Sequence, residues 1–325
     1  MKYTDILYGE VNILENVIVD IINTKDFQRL EGIDQAGYFE VYFPGTKHSR
    51  FEHSLGCYLL LEKFNASIEE RIAGLIHDMS HSAFSHVADY VFEGGRGADH
   101  NYQDDIFKDF ILQTDVPKIL KRYGFDVNYI LDESNFPLQE TKLPDICADR
   151  IDYSLRGAII FKIINKKTAN DILNHLKILN EKWVFDNFEY AKKYAQIFKK
   201  LNDVYYSNKE TAAMFLRTSN WIKYAIDKKY ITFDELYTTD DKVIKKINKH
   251  INKDDKLREL WKIMNNSKIA LGTKKDINTI KVVVKSRIVD PLFIQGDDIK
   301  RISDYDCDWN NILKKEIQPK TYYLK

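Results

Sequence analysis

Six of the eight histidines in this 325-residue chain, at positions 48, 53, 77, 81, 86 and 100, fall between residues 48 and 100. No other feature of the sequence constrains the fold as strongly. Histidine is the commonest metal ligand and the usual proton carrier near neutral pH. Two of these side chains sit at the edges of apolar helical patterns: His53 opens the pattern over 53–64, and His77 closes the one over 68–77. In 77-HDMSH-81, helical spacing sets His77 and His81 on one face, with Asp78 about a quarter-turn around, so His77 and Asp78 can reach one ion. Downstream, 145-DICADRIDY-153 places Asp149 and Asp152 on one side of an otherwise apolar helix. Burying such carboxylates without a partner is costly, so they are expected to meet a metal or an arginine. An HD pair alone is a weak signal, and these two distant segments strengthen the expectation of one shared charged site.

Composition narrows the class. Lysine plus arginine number 49, and so do aspartate plus glutamate, so the net charge is zero. That argues against a nucleic-acid binder driven by global positive charge, with nucleic acid left as a minor alternative partner. Hydrophobic residues make up 44% of the chain, which excludes a disordered polymer. No run approaches the roughly 18 apolar residues of a membrane span, and the first residues carry no apolar signal segment. Cys57, Cys147 and Cys307 fit no CxxC spacing, and their odd number predicts reduced thiols and a cytoplasmic setting.

Most of the chain reads as helix. Helical patterns cover 12–23, 24–33, 53–64, 68–77, 80–92, 100–113, 144–157, 187–206 and 209–229. The stretch 38-YFEVYF-43 reads as a strand or an extended turn, and 93-EGGRGAD-99 as a loop, because its glycines cannot hold a helix. A hairpin is expected over 176–186. The lysine-rich 240–262 reads as a solvated amphipathic helix pair, and 279-TIKVVVKSRIVDP-291 as the clearest strand, β-branched and ended by proline. The expectation is a mostly α body over 1–235, with a small α/β C-terminal region over 236–325 packed on it.

The order His53, His77-Asp78, Asp149 resembles the signature of HD-domain metal-dependent phosphohydrolases. The resemblance extends to the deoxynucleoside triphosphate triphosphohydrolase branch. It is carried by 27-FQRLEGIDQAG-37, 43-FPGTKHSRFEHSLG-56, 73-AGLIHDMSHSAFSH-86, His100, 149-DRIDY-153 and 288-IVDP-291, and it is dense over residues 8–157. It implies an HD-domain helical bundle with one metal held by His53, His77, Asp78 and Asp149. Two imidazoles and two carboxylates would suit a divalent transition metal (manganese, iron, zinc, cobalt or nickel), with magnesium a further candidate on the substrate phosphates. His81, His86, Asp89 and His100 resemble the family's second group of active-site residues. By this likeness His100 is the proton donor to the leaving oxygen and Asp89 its carboxylate partner. Arg50, Arg150 and Lys209 would cradle phosphates. Gln35 and Tyr153 resemble the residues that read the sugar. The implied partners are a nucleotide substrate and further copies of the chain, with no membrane.

The implied activity is hydrolysis of a deoxynucleoside triphosphate to deoxynucleoside and triphosphate. Alternatives are an HD-type nucleotide phosphatase or phosphodiesterase, and a non-catalytic nucleotide- or nucleic-acid-binding relative. Gly157 departs from the pattern, because the family commonly places an aspartate there to partner the sugar-reading glutamine. The histidine spacing of HDMSH also matches a zinc-protease motif. Asp78 is, however, one methylene shorter than that motif's glutamate, and the reading leaves the other segments unexplained.

Overall fold

The helix that carries the first histidine starts at a capping box. Ser49 Oγ accepts the Glu52 amide, and the Glu52 carboxylate accepts the Ser49 amide at 2.7 Å. The helix runs Arg50–Lys63, and its first twelve residues are almost all buried, Arg50 and His53 among them. It is covered on two sides because it lies between two hydrophobic clusters. Leu55, Tyr58 and Leu59 face one, with Ile18, Phe27 and Ile76, while Leu60 and Leu61 face the other, with Phe84, Trp183 and Trp221. A helix packed on opposite faces needs apolar residues all round, which is why its amphipathicity is weak.

The computed structural model describes residues 1–92, 102–274, 276 and 279–325. The molecule is mostly helical, with small sheets at its N-terminal edge and in its C-terminal region. Helices Ile68–Ile76 and Ala148–Ile160 pack against Arg50–Lys63, and Phe188–Leu201 packs on Ala148–Ile160. Asn187 and Asn208 cap Phe188–Leu201 and Lys209–Asp227 through their side-chain oxygens. A π-helical turn, Asn202–Tyr206, joins these two helices. No helix among the described residues is long and apolar enough to cross a membrane.

The expected hairpin forms from Leu176–Leu179 and Lys182–Phe185, turning through Asn180 and Glu181, both at positive φ. Lys182–Phe185 also pairs in parallel with Leu292–Gln295, which pairs antiparallel with Asp298–Arg301. The expected late strand is Ile280–Val284, antiparallel to Lys320–Leu324. The lysine-rich segment forms Asp240–Asn248 and Asp255–Met264, with Val243, Ile247 and Leu257 buried.

Of the two alternatives for 38–43, strand or extended turn, the stretch takes the turn, held by Glu40, whose carboxylate accepts the amides of Gly45, Thr46 and Lys47. One expectation is corrected. The helix expected over 80–92 is restricted to Val87–Phe92, and residues 78–86 are turns. Long-range bonds hold that segment out of the helix. Arg29 donates to the carbonyls of Met79 and His81, each at 2.8 Å. Leu236 O accepts the Ala83 amide, and Asp240 Oδ1 accepts the Phe84 amide at 2.7 Å. Phe84 and Ser85 adopt left-handed backbone, φ 62° and 48°. Serines at 80, 82 and 85 already weaken helix propensity here, so external partners decide the conformation.

Candidate functional site

Three helix ends deliver the central side chains. His53 projects from the first turn of Arg50–Lys63, His77 terminates Ile68–Ile76, and Asp149 lies in the first turn of Ala148–Ile160. Asp78 follows His77 in the turn. His53 Nε2 stands 2.9 Å from Asp149 Oδ1 and 3.7 Å from Asp78 Oδ2. His77 Nε2 stands 3.5 Å from Asp78 Oδ1 and 3.6 Å from Asp149 Oδ1. The expected set of His53, His77, Asp78 and Asp149 is thus brought together, although His77 and Asp78 do not share a continuous helix with His81.

Each imidazole's tautomer is set from behind. His77 Nδ1 donates to Gly74 O at 2.8 Å, and its buried Nε2 has no hydrogen-bond partner among the described residues. His53 Nδ1 donates to Asp152 Oδ2 at 2.9 Å. Both Nε2 atoms therefore face carboxylates, an arrangement that calls for positive charge there, carried by ring protons or by a metal cation. The electrostatics agree. Burial alone would depress His77, yet Asp78 and Asp149 push it up to about 10. Burial likewise opposes ionisation of Asp149 and Asp78, yet His53 and His77 around the first, and Arg50, His77 and His81 around the second, hold both carboxyls well below the usual range. Cys57, one turn beyond His53, has its Sγ 3.7 Å from His53 Nε2. Burial and nearby carboxylates push its thiol up, so it packs as a neutral group. His53, His77, Asp149 and the Cys57 sulfur lie close enough to one another to hold one ion, and Asp78 stands beside both imidazoles, so two imidazole nitrogens with carboxylates around them fit a divalent cation.

Behind His53 lies a buried charge network. Asp152 accepts from Arg156 Nε and Nη2, each at 3.0 Å, and from Tyr8 Oη at 3.0 Å, while Arg156 Nη1 donates to Asp5 Oδ2 at 2.8 Å. Asp152 meets an arginine, as its sequence context required. The network crowds Gly56, where a Cβ would overlap Arg156 and Asp152.

A cleft of about 270 Å³ opens on this centre. Of the expected residues, Gln35, Arg50, His77, Asp78, His81, His86, Asp149, Arg150 and Tyr153 line it. Arg50 is buried and donates to Asp78 Oδ2 at 2.5 Å, Ser85 Oγ at 2.8 Å and Gln35 O at 3.1 Å. Arg150 pairs with Glu140 at 2.8 Å. The His81 and His86 rings lie 5.3 Å apart, edge to face, and burial lowers them to about 4 and about 3, so both are neutral. His81 Nε2 is 3.3 Å from Asp78 Oδ1, and buried Asp89 stands 3.4 Å from His86 Nδ1. His100 lies outside the described residues.

Lys209 does not reach the cleft. It is half-exposed at the start of Lys209–Asp227 and stands 3.6 Å from Glu210. Thr211 and Phe215 are the residues of that helix that line the cleft, and a two-residue offset from Thr211 puts Lys209 on the far side. Sequence reasoning missed Glu140, Tyr206, Lys285 and Arg287, all of which line the cleft. Lys285 and Arg287 follow strand Ile280–Val284 at alternate positions, a period-two signal that could have flagged them. Glu140 and Tyr206 have no local signal. At Gly157 a Cβ would lie 2.9 Å from Tyr206 Oη, so the tyrosine occupies the space where the family commonly carries an aspartate.

Residues 50–157 match the family described as HD domain. An uncharacterized protein of Bacillus subtilis, YdhJ, is 34% identical over 245 residues, covering 75% of this chain and 74% of its own. A metal-dependent phosphohydrolase of Cordyceps militaris, cns2, is 30% identical over 67% of this chain and 64% of its own. The deoxynucleoside triphosphate triphosphohydrolase SAMHD1 of Gallus gallus is 29% identical over 58% of this chain, a match that spans only 35% of that protein. Among solved structures, a phosphohydrolase from Bacteroides thetaiotaomicron superposes with a TM-score of 0.77 at 18% identity, over 100% of this chain and 98% of that one.

Proposed function

The chain belongs to the HD-domain family of metal-dependent phosphohydrolases, and from that premise we propose that it hydrolyses a deoxynucleoside triphosphate to deoxynucleoside and triphosphate. The observation that carries the phosphohydrolase reading is the pair of imidazoles whose Nδ1 protons are engaged from behind, leaving both Nε2 atoms facing Asp78 and Asp149 at the cleft. His53, His77, Asp78 and Asp149 would hold one divalent cation. When bound, that cation lowers the pKa of its water and polarises a phosphoryl oxygen.

The chain's own residues supply the remainder. The Gly74 carbonyl and Asp152 fix the imidazole orientation. Arg50 holds Asp78 through its Nη1. His81 and His86, neutral in the cleft, can hold or pass a proton close to the reacting group. His100 is the proposed donor to the leaving oxygen. Gln35 and Tyr153 line the cleft with buried oxygens, Oε1 and Oη, that have no hydrogen-bond partner among the described residues and suit a sugar.

A second reading has one observation in its favour. Gly157 brings no carboxylate to the sugar side, and Tyr206 fills that space. An HD-type phosphatase or phosphodiesterase acting on another nucleotide would tolerate this.

Product analysis separates the two readings. Purified protein with manganese is incubated with each deoxynucleotide and ribonucleotide, and the products are resolved by ion exchange. Triphosphate plus deoxynucleoside is expected, whereas orthophosphate or pyrophosphate would move the assignment to the second reading. In parallel, Asp78→Ala should lose both metal and turnover. A metal-bound Asp78→Ala protein that still turns over would remove the assigned centre.

A further inference from the structure

Two of the cations that line the cleft already have counter-charges. Arg50 is matched by Asp78 at 2.5 Å and Arg150 by Glu140 at 2.8 Å. Arg287 lines the same cleft, and among the described residues no carboxylate pairs with it. It is partly buried, so it is not simply a solvated surface charge. Its backbone is held in place: the Arg287 amide donates to Asn202 Oδ1 at 2.9 Å, and Asn202 Nδ2 donates to Ser286 Oγ at 3.0 Å. Asn202 is fully buried in the π-helical turn that also carries Tyr206. The C-terminal strand and the helical body are thus tied together at this arginine.

Arg287 lines the cleft together with Tyr153 and Tyr206. Burial raises both phenol hydroxyls, and the positive charge of Arg287 opposes that rise.

We propose that Arg287 is an anion seat for a phosphate group other than the one at the His53–His77–Asp78–Asp149 centre, so that the cleft takes an oligophosphate chain rather than a single phosphate. The proposal rests on the phosphohydrolase reading and names its substrate class. A monophosphate at the metal centre would leave Arg287 without a counter-ion. A chain of phosphates supplies one, and the planar fork of arginine suits two phosphate oxygens at once.

The test is binding of inorganic triphosphate to the full-length protein, measured by calorimetry. Wild type should bind triphosphate more tightly than orthophosphate. Arg287→Ala should weaken triphosphate binding by about tenfold or more, the cost of one charge-assisted contact, with an unchanged melting temperature. Arg287→Lys should fall between the two, because it keeps the charge and loses the fork. Lys209→Ala, which alters a cation outside the cleft, should bind as wild type. Equal affinity of wild type for orthophosphate and triphosphate overturns the proposal, and so does wild-type affinity in a folded Arg287→Ala protein. The outcome is separable from the dNTP reading. Arg287-dependent triphosphate binding without dNTP turnover would keep the seat and discard the dNTP reading. Turnover of dNTPs with KM unchanged in Arg287→Ala would do the reverse.

Discussion

Asp152 is fully buried and does not line the cleft, yet it touches three groups that matter: His53, Arg156 and Tyr8. A carboxylate behind a ligating imidazole fixes its tautomer and raises its basicity. Asp152→Asn keeps the shape but gives up the charge. It should lower metal affinity about ten- to a hundredfold. A direct metal titration checks this, and an affinity equal to wild type would show that Asp152 serves only Arg156 and Tyr8. His48 offers a different residue-scale test. It lines the cleft, its Nδ1 bonds Thr46 O at 3.0 Å, and burial lowers its pKa to about 4. Its folded pKa lies below the unfolded value near 6.5, so the folded state binds fewer protons. The stability it confers is therefore present above about pH 6.5 and is lost as pH falls toward 4. Between pH 7 and pH 5 that loss amounts to about 2 kcal/mol. His48→Gln should narrow the difference in melting temperature between those pH values, and an unchanged difference would assign the acid sensitivity to other groups. The meeting of His53, His77, Asp78 and Asp149 was legible because an HD dipeptide flanked by distant His53 and Asp149 is a pattern of type and order. Glu140 and Tyr206 were not legible, because only packing turns them toward the cleft.

Among the elements, the turn over 78–86 is the instructive departure. Its apolar spacing matches a helix, and nothing local forbids one. The segment is set instead by groups distant in sequence: Arg29 on two carbonyls, Leu236 O on the Ala83 amide, and Asp240 on the Phe84 amide. Tertiary bonds overrode propensity, and for that reason periodicity failed there while it located Arg50–Lys63 and Ile68–Ile76 well. Asp240 does more than hold one amide. Its Oδ2 also accepts the Asp34 amide at 3.0 Å, and Asp34 O accepts Ser85 Oγ, which in turn accepts Arg50 Nε. Arg50 then reaches Asp78, so a continuous chain of bonds runs from the lysine-rich helix to the cluster of His53, His77, Asp78 and Asp149. An asparagine at 240 can satisfy only one of the two amides and turns its own N–H₂ toward the other. Loss of one buried bond costs about 1–3 kcal/mol. In Asp240→Asn, hydrogen exchange at the Phe84 or Asp34 amide should therefore speed up about tenfold or more, with turnover reduced. Wild-type protection at both amides would mean that the turn holds its own shape.

At the scale of the whole molecule, the site is not a property of the HD helices alone. The HD match ends at residue 157, but the C-terminal segment contributes Lys285 and Arg287 to the cleft and Asp240 to its frame. It also shares the core. Leu236, Val243, Ile247, Leu257, Val282, Val289, Phe293 and Trp309 are buried in the same cluster as Trp183, Tyr194 and Trp221. Strand Leu292–Gln295 continues the sheet begun by Lys182–Phe185. Full burial of each large apolar side chain is worth about 1.5–3 kcal/mol. Eight of them together contribute about 12–24 kcal/mol, as much as or more than the roughly 5–15 kcal/mol by which a domain is stable. A chain ended at residue 235 should therefore fail to fold as a smaller unit. It should bind a hydrophobic dye, melt without a cooperative transition, and hold metal far more weakly than the full chain, since the turn that carries Asp78 would lose both Leu236 and Asp240. A truncated chain that melts cooperatively at the full-length temperature with its metal affinity intact would show instead that residues 236–325 are an appendage, and the coupling argued from the shared core would fall.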